Sequence, residues 1–174
     1  MKKLILSAVA VFAFGFASAQ STALSEGSWL VEVNTGFGSP MGANTGIYYS
    51  SEDGNTNLSL GAEAGYFVME NLAIKAGLGY NSEKPDGGDA FTTFAYKLGA
   101  KYYIIGQIPV QLDYSGASYK DFDENPSYFG IQGGYAWFVA DNVSIEPGIR
   151  YNMSLNSDFY EDVLQFNIGF ALHF

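Results

Sequence analysis

Eight charged side chains hold most of the chemistry this sequence could perform from within its regular segments. Glu32, Glu63, Asp113 and Glu146 are the acids, and Lys75, Lys97, Lys101 and Arg150 are the bases. Paired carboxylates can divide acid and base roles in proton transfer. Here cations match them one for one, and all eight fall on the same face of alternating segments. A carboxylate held by a cation is not free to act as acid or base. The pattern predicts a polar, ion-paired plug, structural in role or gating a narrow path if a pair separates. Unpaired buried charges are costly, so such pairs resist separation.

His173 is the single histidine. A Ser-His-acid site needs its histidine beside a nucleophile. His173 instead sits one residue from the chain end, at the rim where short turns join the alternating segments. One histidine cannot build a His-cluster metal site, and the absence of cysteine removes thiolate ligands and disulfides. No catalytic, cofactor-binding or metal-ligating residues are assigned, and no enzyme is expected.

The remaining acids gather between the segments. Glu52, Asp53, Glu83, Asp86, Asp89, Asp121, Asp123, Glu124, Asp158, Glu161 and Asp162 oppose only Lys84 and Lys120 there. Nucleic acid is excluded as a partner, because phosphate contacts need basic patches. Asp121-Phe122-Asp123-Glu124-Asn125 begins like a calcium loop. Pro126 stands where that loop needs glycine and Gln132 where it needs an acid, so the EF-hand pattern fails. Divalent cations bound in another way stay open as partners. So does a host or cell-surface protein, for which Tyr48, Tyr49, Phe122, Tyr128, Phe159 and Tyr160 could supply aromatic anchors.

The elements that position these residues are strands. From Leu164 to Phe174, the apolar Leu164, Phe166, Ile168, Phe170, Leu172 and Phe174 alternate with Gln165, Asn167, Gly169, Ala171 and His173. Alternation at period two sends the two sets to opposite faces of a strand. The same reading predicts eight strands, over 27–38, 58–68, 72–81, 91–104, 109–117, 127–138, 143–153 and 163–174. Short turns alternate with longer polar loops. Phe67–Tyr80 repeats without gaps as Phe138–Tyr151, with six of 14 positions identical, each copy spanning a strand end, an acidic-Asn turn and the next strand.

The two faces differ sharply. One carries Trp29, Val31, Leu60, Ile74, Leu78, Leu98, Leu112, Ile131, Ile149 and their neighbours, with no charge among them. The other carries the eight charges together with Asn34, Gln111, Gln132, Gln165, Asn167 and many glycines. A charge-free apolar face outside and a polar face inside is the arrangement of a transmembrane barrel. A soluble sandwich places its polar face in water on the outside.

The chain also begins with an export signal. Lys2 and Lys3 precede an apolar run from Leu4 to Phe16, and Ala17-Ser18-Ala19 forms a small-residue cleavage site. The run is shorter than the roughly 20 residues of a spanning helix, so residues 1–19 read as a cleaved signal peptide. Removing Lys2 and Lys3 leaves six cationic against 18 acidic side chains, a net charge of −12 on residues 20–174.

Together these features resemble the small eight-stranded outer-membrane proteins of the OmpX/OmpA-barrel type. Gly65-Tyr-Phe-Val-Met-Glu-Asn-Leu-Ala-Ile74 resembles the hairpin signature of the outer-membrane β-barrel domain family common in Bacteroidetes. The resemblance implies an all-β, antiparallel, up-and-down barrel over residues 20–174, monomeric in the outer membrane of a Gram-negative cell. Its surroundings would be lipid and lipopolysaccharide. It further implies an assembly signal in Phe170, Leu172 and Phe174, read by the barrel-assembly machinery. The expected role is structural or adhesion-like, through acidic extracellular loops. The alternative is a small pore or small-molecule transport protein with a gated polar lumen.

Overall fold

Apolar residues recur at every second position of most of the chain, and the backbone follows that period. The computed structural model describes residues 23–37, 46–119 and 125–174. The signal segment, the Asp121–Glu124 stretch and Lys120 lie outside the described residues. The strands are β1 (Trp29–Phe37), β2 (Ile47–Glu52), β3 (Asn55–Met69), β4 (Leu72–Lys84) and β5 (Phe91–Ile104). They continue with β6 (Ile108–Tyr119), β7 (Ser127–Gly134), β8 (Trp137–Ala140), β9 (Val143–Ser154) and β10 (Val163–His173).

All pairings are antiparallel, and they join chain neighbours apart from β7 with β9 and the closing ones around β1. β1 pairs β10 from Leu30↔His173 to Phe37↔Phe166, and pairs β3 from Trp29↔Tyr66 to Glu32↔Glu63. The sheet therefore closes on itself as an eight-stranded barrel. β7 and β8 form one stave along β9, interrupted at Tyr135 and Ala136. The Tyr135 amide still reaches Pro147 C=O at 3.0 Å, and the Ala136 amide reaches Gln107 C=O at 2.7 Å. Face alternation survives the break: Ala136 is buried while Tyr135 and Trp137 are exposed.

Two strand boundaries differ from the sequence expectation by three residues, at Asn55 and Lys84, and β2 is an additional strand. The stretch 39–57, read as one long loop, contains β2 and the start of β3. β1 leaves β3 after Glu32, and β2 takes its place along β3 from Ile47↔Leu60 to Glu52↔Asn55. Asp53 and Gly54 close that hairpin at φ 48° and 80°. Asp-Gly is a strong short hairpin signal, masked in the sequence by polar residues on both sides. β4 likewise runs to Lys84, three residues past its expected end, because it pairs with β3 to Thr56↔Lys84.

The internal repeat has a structural counterpart. Both copies carry a register shift just after the shared phenylalanine, at Phe67/Met69 and Phe138/Ala140. Both phenylalanines are buried, and Tyr80 and Tyr151 both face outward. Around the outside, Leu60, Leu78, Leu98, Leu112, Ile131, Ile149 and Phe166 are exposed in a band with no charged residue. A soluble monomer seldom exposes a continuous apolar surface of this extent. A Lys or Arg at the middle of such a face would cost about 2–4 kcal/mol in lipid. The band is the lipid-facing wall, and strands cross the bilayer. No helix among the described residues is long and apolar enough to do so.

Candidate functional site: the filled barrel interior

Pleating points one residue in two at the barrel axis, and the interior of eight strands is only wide enough for side chains. All eight charges assigned to the interior by the sequence are buried there. They meet as a connected network. Lys101 Nζ lies 2.6 Å from Glu32 Oε2 and 2.5 Å from Glu146 Oε2. Lys75 Nζ bridges Glu32 at 2.7 Å and Glu63 at 2.9 Å. Lys97 donates to Glu63 Oε1 at 2.9 Å. Arg150 grips Asp113 with both terminal nitrogens, Nη1 to Oδ2 at 2.6 Å and Nη2 to Oδ1 at 2.5 Å.

Neutral groups join the ion pairs. Gln111 accepts from Lys75 at 2.9 Å and donates to Asp113 Oδ2 at 2.8 Å. Glu146 Oε1 accepts from Tyr103 Oη at 3.0 Å and from Ser144 Oγ at 2.7 Å. Arg150 Nε donates to Asn152, which donates to Gln165 at 2.9 Å. The network thus runs from β10, through the middle of the lumen, to the turn end. Small residues make room for it. A Cβ at Gly130 would collide with the Arg150 guanidinium, and one at Gly99 with Asp113 and the Leu112 carbonyl.

The turn end is filled differently, which the sequence reading did not anticipate. Leu24, Leu30, Phe67, Tyr103, Phe138 and His173 form an apolar plug with Ala23, Ala73, Ala136 and Ala171. Inward parity at the strand ends already pointed Phe67, Tyr103 and Phe138 this way. Leu24 comes from outside any strand. The segment Ala23–Ser28 lies across the mouth, with Asn71 N–H donating to Leu24 C=O at 2.8 Å. Gly27 N–H donates to Phe67 C=O at 2.9 Å, and Phe67 N–H to Ser28 C=O at 3.0 Å. Leu24 retains only 2% of its accessible surface.

His173 belongs to this plug and not to a rim, a correction to the sequence reading. It is fully buried, its Nε2 lies 3.1 Å from Ser144 Oγ, and three aromatic rings surround it. Its odd parity on β10 turns it inward, opposite to Phe174. Ser144 donates its hydroxyl proton to Glu146 at 2.7 Å, and Ser144 and His173 are both fully buried.

The outer end is open and acidic. The inner face of the β2–β5 tips forms a concavity of about 490 Å³ lined by residues including Glu52, Asp53, Asn57, Glu83 and Phe91. Glu83 Oε1 accepts from the amides of Asn57 and Asn81 at 3.4 Å each. Every interior carboxylate has a cationic partner; Glu52 and Glu83 have none among the described residues. On the β9–β10 connection, Asp162 accepts from Tyr151 Oη at 2.6 Å and from Ser154 N–H at 2.8 Å. These bonds, that from Tyr151 first, hold its carboxyl below the ordinary aspartate range.

The assembly residues Phe170, Leu172 and Phe174 lie on the lipid face of β10, all exposed. Trp29 and Phe174 exchange both backbone hydrogen bonds, at 2.6 and 3.0 Å, so the carboxyl end lies at the barrel seam.

No family model matches the chain, and no curated protein matches it. Solved barrels do. Neisserial surface protein A is 16% identical, with 86% of this chain and 100% of that chain covered and a TM-score of 0.48. The outer membrane protein OprG from Pseudomonas aeruginosa is 11% identical, covering 86% and 97%, with a TM-score of 0.48. The outer membrane protein Ail of Yersinia pestis is 14% identical, covering 86% and 100%, with a TM-score of 0.45.

Proposed function

We propose that this chain is an exported outer-membrane barrel whose lumen is a closed scaffold and whose role is structural or interactive, through its acidic outer ends. The observation that carries the reading is the double closure of the lumen. Ion pairs fill its middle, and an apolar plug seals its turn end. A conducting path would require Lys101 to leave both Glu32 and Glu146, and Leu24 to leave its seat. The open surface available to a partner is the outer rim, where Glu52, Asp53, Glu83 and Asp86 outnumber Lys84. A cell-surface protein or divalent cations are the partner classes that suit this charge. The sealed Ser144 and His173 support a non-enzymatic role. Phe170, Leu172 and Phe174 offer the exposed aromatic and aliphatic strand end expected of a segment read by assembly machinery. The monomer suffices for the fold, since the sheet closes within one chain.

Planar-bilayer recording separates this reading from the pore. The folded barrel is expected to insert without steady conductance steps. Stable openings whose size changes in Lys101→Ala or Arg150→Ala would establish the transport alternative.

A further inference from the structure

The β5–β6 turn departs from the other turns at its end of the barrel. Glu70–Asn71 and Asp141–Asn142 close the β3–β4 and β8–β9 hairpins with charged and amide side chains. The β5–β6 turn is closed by Gln107 N–H donating to Ile104 C=O at 3.1 Å, with Ile105 and Gly106 between them at φ 49° and 73°. Asp53 and Gly54 at the outer end adopt nearly the same φ values on residue types that suit them. Ile105 does not suit its position. A β-branched residue in the left-handed region is an outlier, at a cost of roughly five- to thirtyfold in the folding equilibrium.

Ile105 is also 79% exposed, more than any other large apolar side chain among the described residues. Strain and exposure are both unfavourable in water, and they coincide at one residue. The surroundings of the turn suggest what compensates them. Tyr102, Ile104, Ile108, Trp137 and Val139 are exposed and apolar, and they join Ile105 to the lipid-facing band.

We propose that the β5–β6 turn is a membrane contact, with Ile105 dipping into the boundary between headgroups and acyl chains of the turn-side leaflet. Lipid is the occupant because the patch is continuous with the lipid-facing wall and carries no charge. Burying the isoleucine in lipid offsets its backbone strain, and this side of the barrel sits deeper than the polar turns beside it. The inference rests on the membrane-spanning reading of the barrel.

The chain has no cysteine, so one introduced thiol can be spin-labelled without competition. Ile105→Cys, Leu98→Cys and Asp141→Cys would be folded separately into phosphatidylcholine vesicles. Collision with oxygen reports lipid, and collision with a water-soluble nickel chelate reports solvent. Labels at 105 and 98 are expected to favour oxygen, and the label at 141 to favour nickel. A label at 105 that behaves like 141, with 98 in lipid, overturns the contact alone. A label at 98 exposed to nickel overturns the membrane reading beneath it.

Discussion

Lys101→Ala is expected to lower the stability of the barrel by about 3–5 kcal/mol, the cost of leaving buried charge uncompensated. Lys101 is the cation shared by Glu32 and Glu146, and its side chain is fully buried. Its removal leaves the interior one negative charge in excess. Lys75 still serves Glu32, but Glu146 keeps only the neutral donors Tyr103 and Ser144. Urea unfolding in lipid vesicles, followed by the fluorescence of Trp29 and Trp137, measures the loss. Lys84→Ala, on the exposed end of β4, should change stability by no more than about 0.5 kcal/mol. Equal losses in the two variants would sink the assignment of a stabilising interior network. The double variant Lys101→Met/Glu146→Gln adds a check on the cause. It restores neutrality, so it should recover part of the loss, which a purely steric defect would not do.

Releasing the apolar plug should have the next largest effect. Leu24→Asp places a carboxylate among Phe67, Tyr103 and Phe138, where nothing can pair it. The segment 23–28 is expected to leave the barrel mouth, with a stability loss of about 2–5 kcal/mol, the range for emptying a buried leucine site. Amide exchange locates the effect. Asn71 and Phe67 donate to Leu24 and Ser28 in the docked segment, so their amides should lose protection. The Leu98 amide, within the β5 ladder, should keep its own. Unchanged exchange at Asn71 and Phe67 would show that the segment does not depend on Leu24 for its seat.

The strands and their faces were largely legible because pleating is local. Each residue of β10 declares its side by its neighbours, and one registered ladder extends that choice to the next strand. The interior location of Glu32, Glu63, Lys75, Lys97, Lys101, Asp113, Glu146 and Arg150 followed from this parity alone. So did the absence of charge on the lipid face. β2 escaped because its three apolar residues Ile47–Tyr49 are followed by three polar ones, Ser50–Glu52, so period two carries little contrast there. Its turn pair, Asp53–Gly54, was the available signal.

By itself, the sequence determined the all-β class, the inward and outward sets, and an interior whose four acids and four bases balance. The tertiary structure decided which groups meet. Lys101 joins Glu32, 69 residues earlier, to Glu146, 45 residues later, because closure and stagger of the staves bring those levels together across the lumen. Residue spacing within one strand carries no such information. Closure also decided the fate of Leu24 and His173. Leu24 has no pleat parity to read, since it lies outside any strand and its seat is made by side chains from six of them. His173, one residue from the end, is buried because the last strand pairs to its tip.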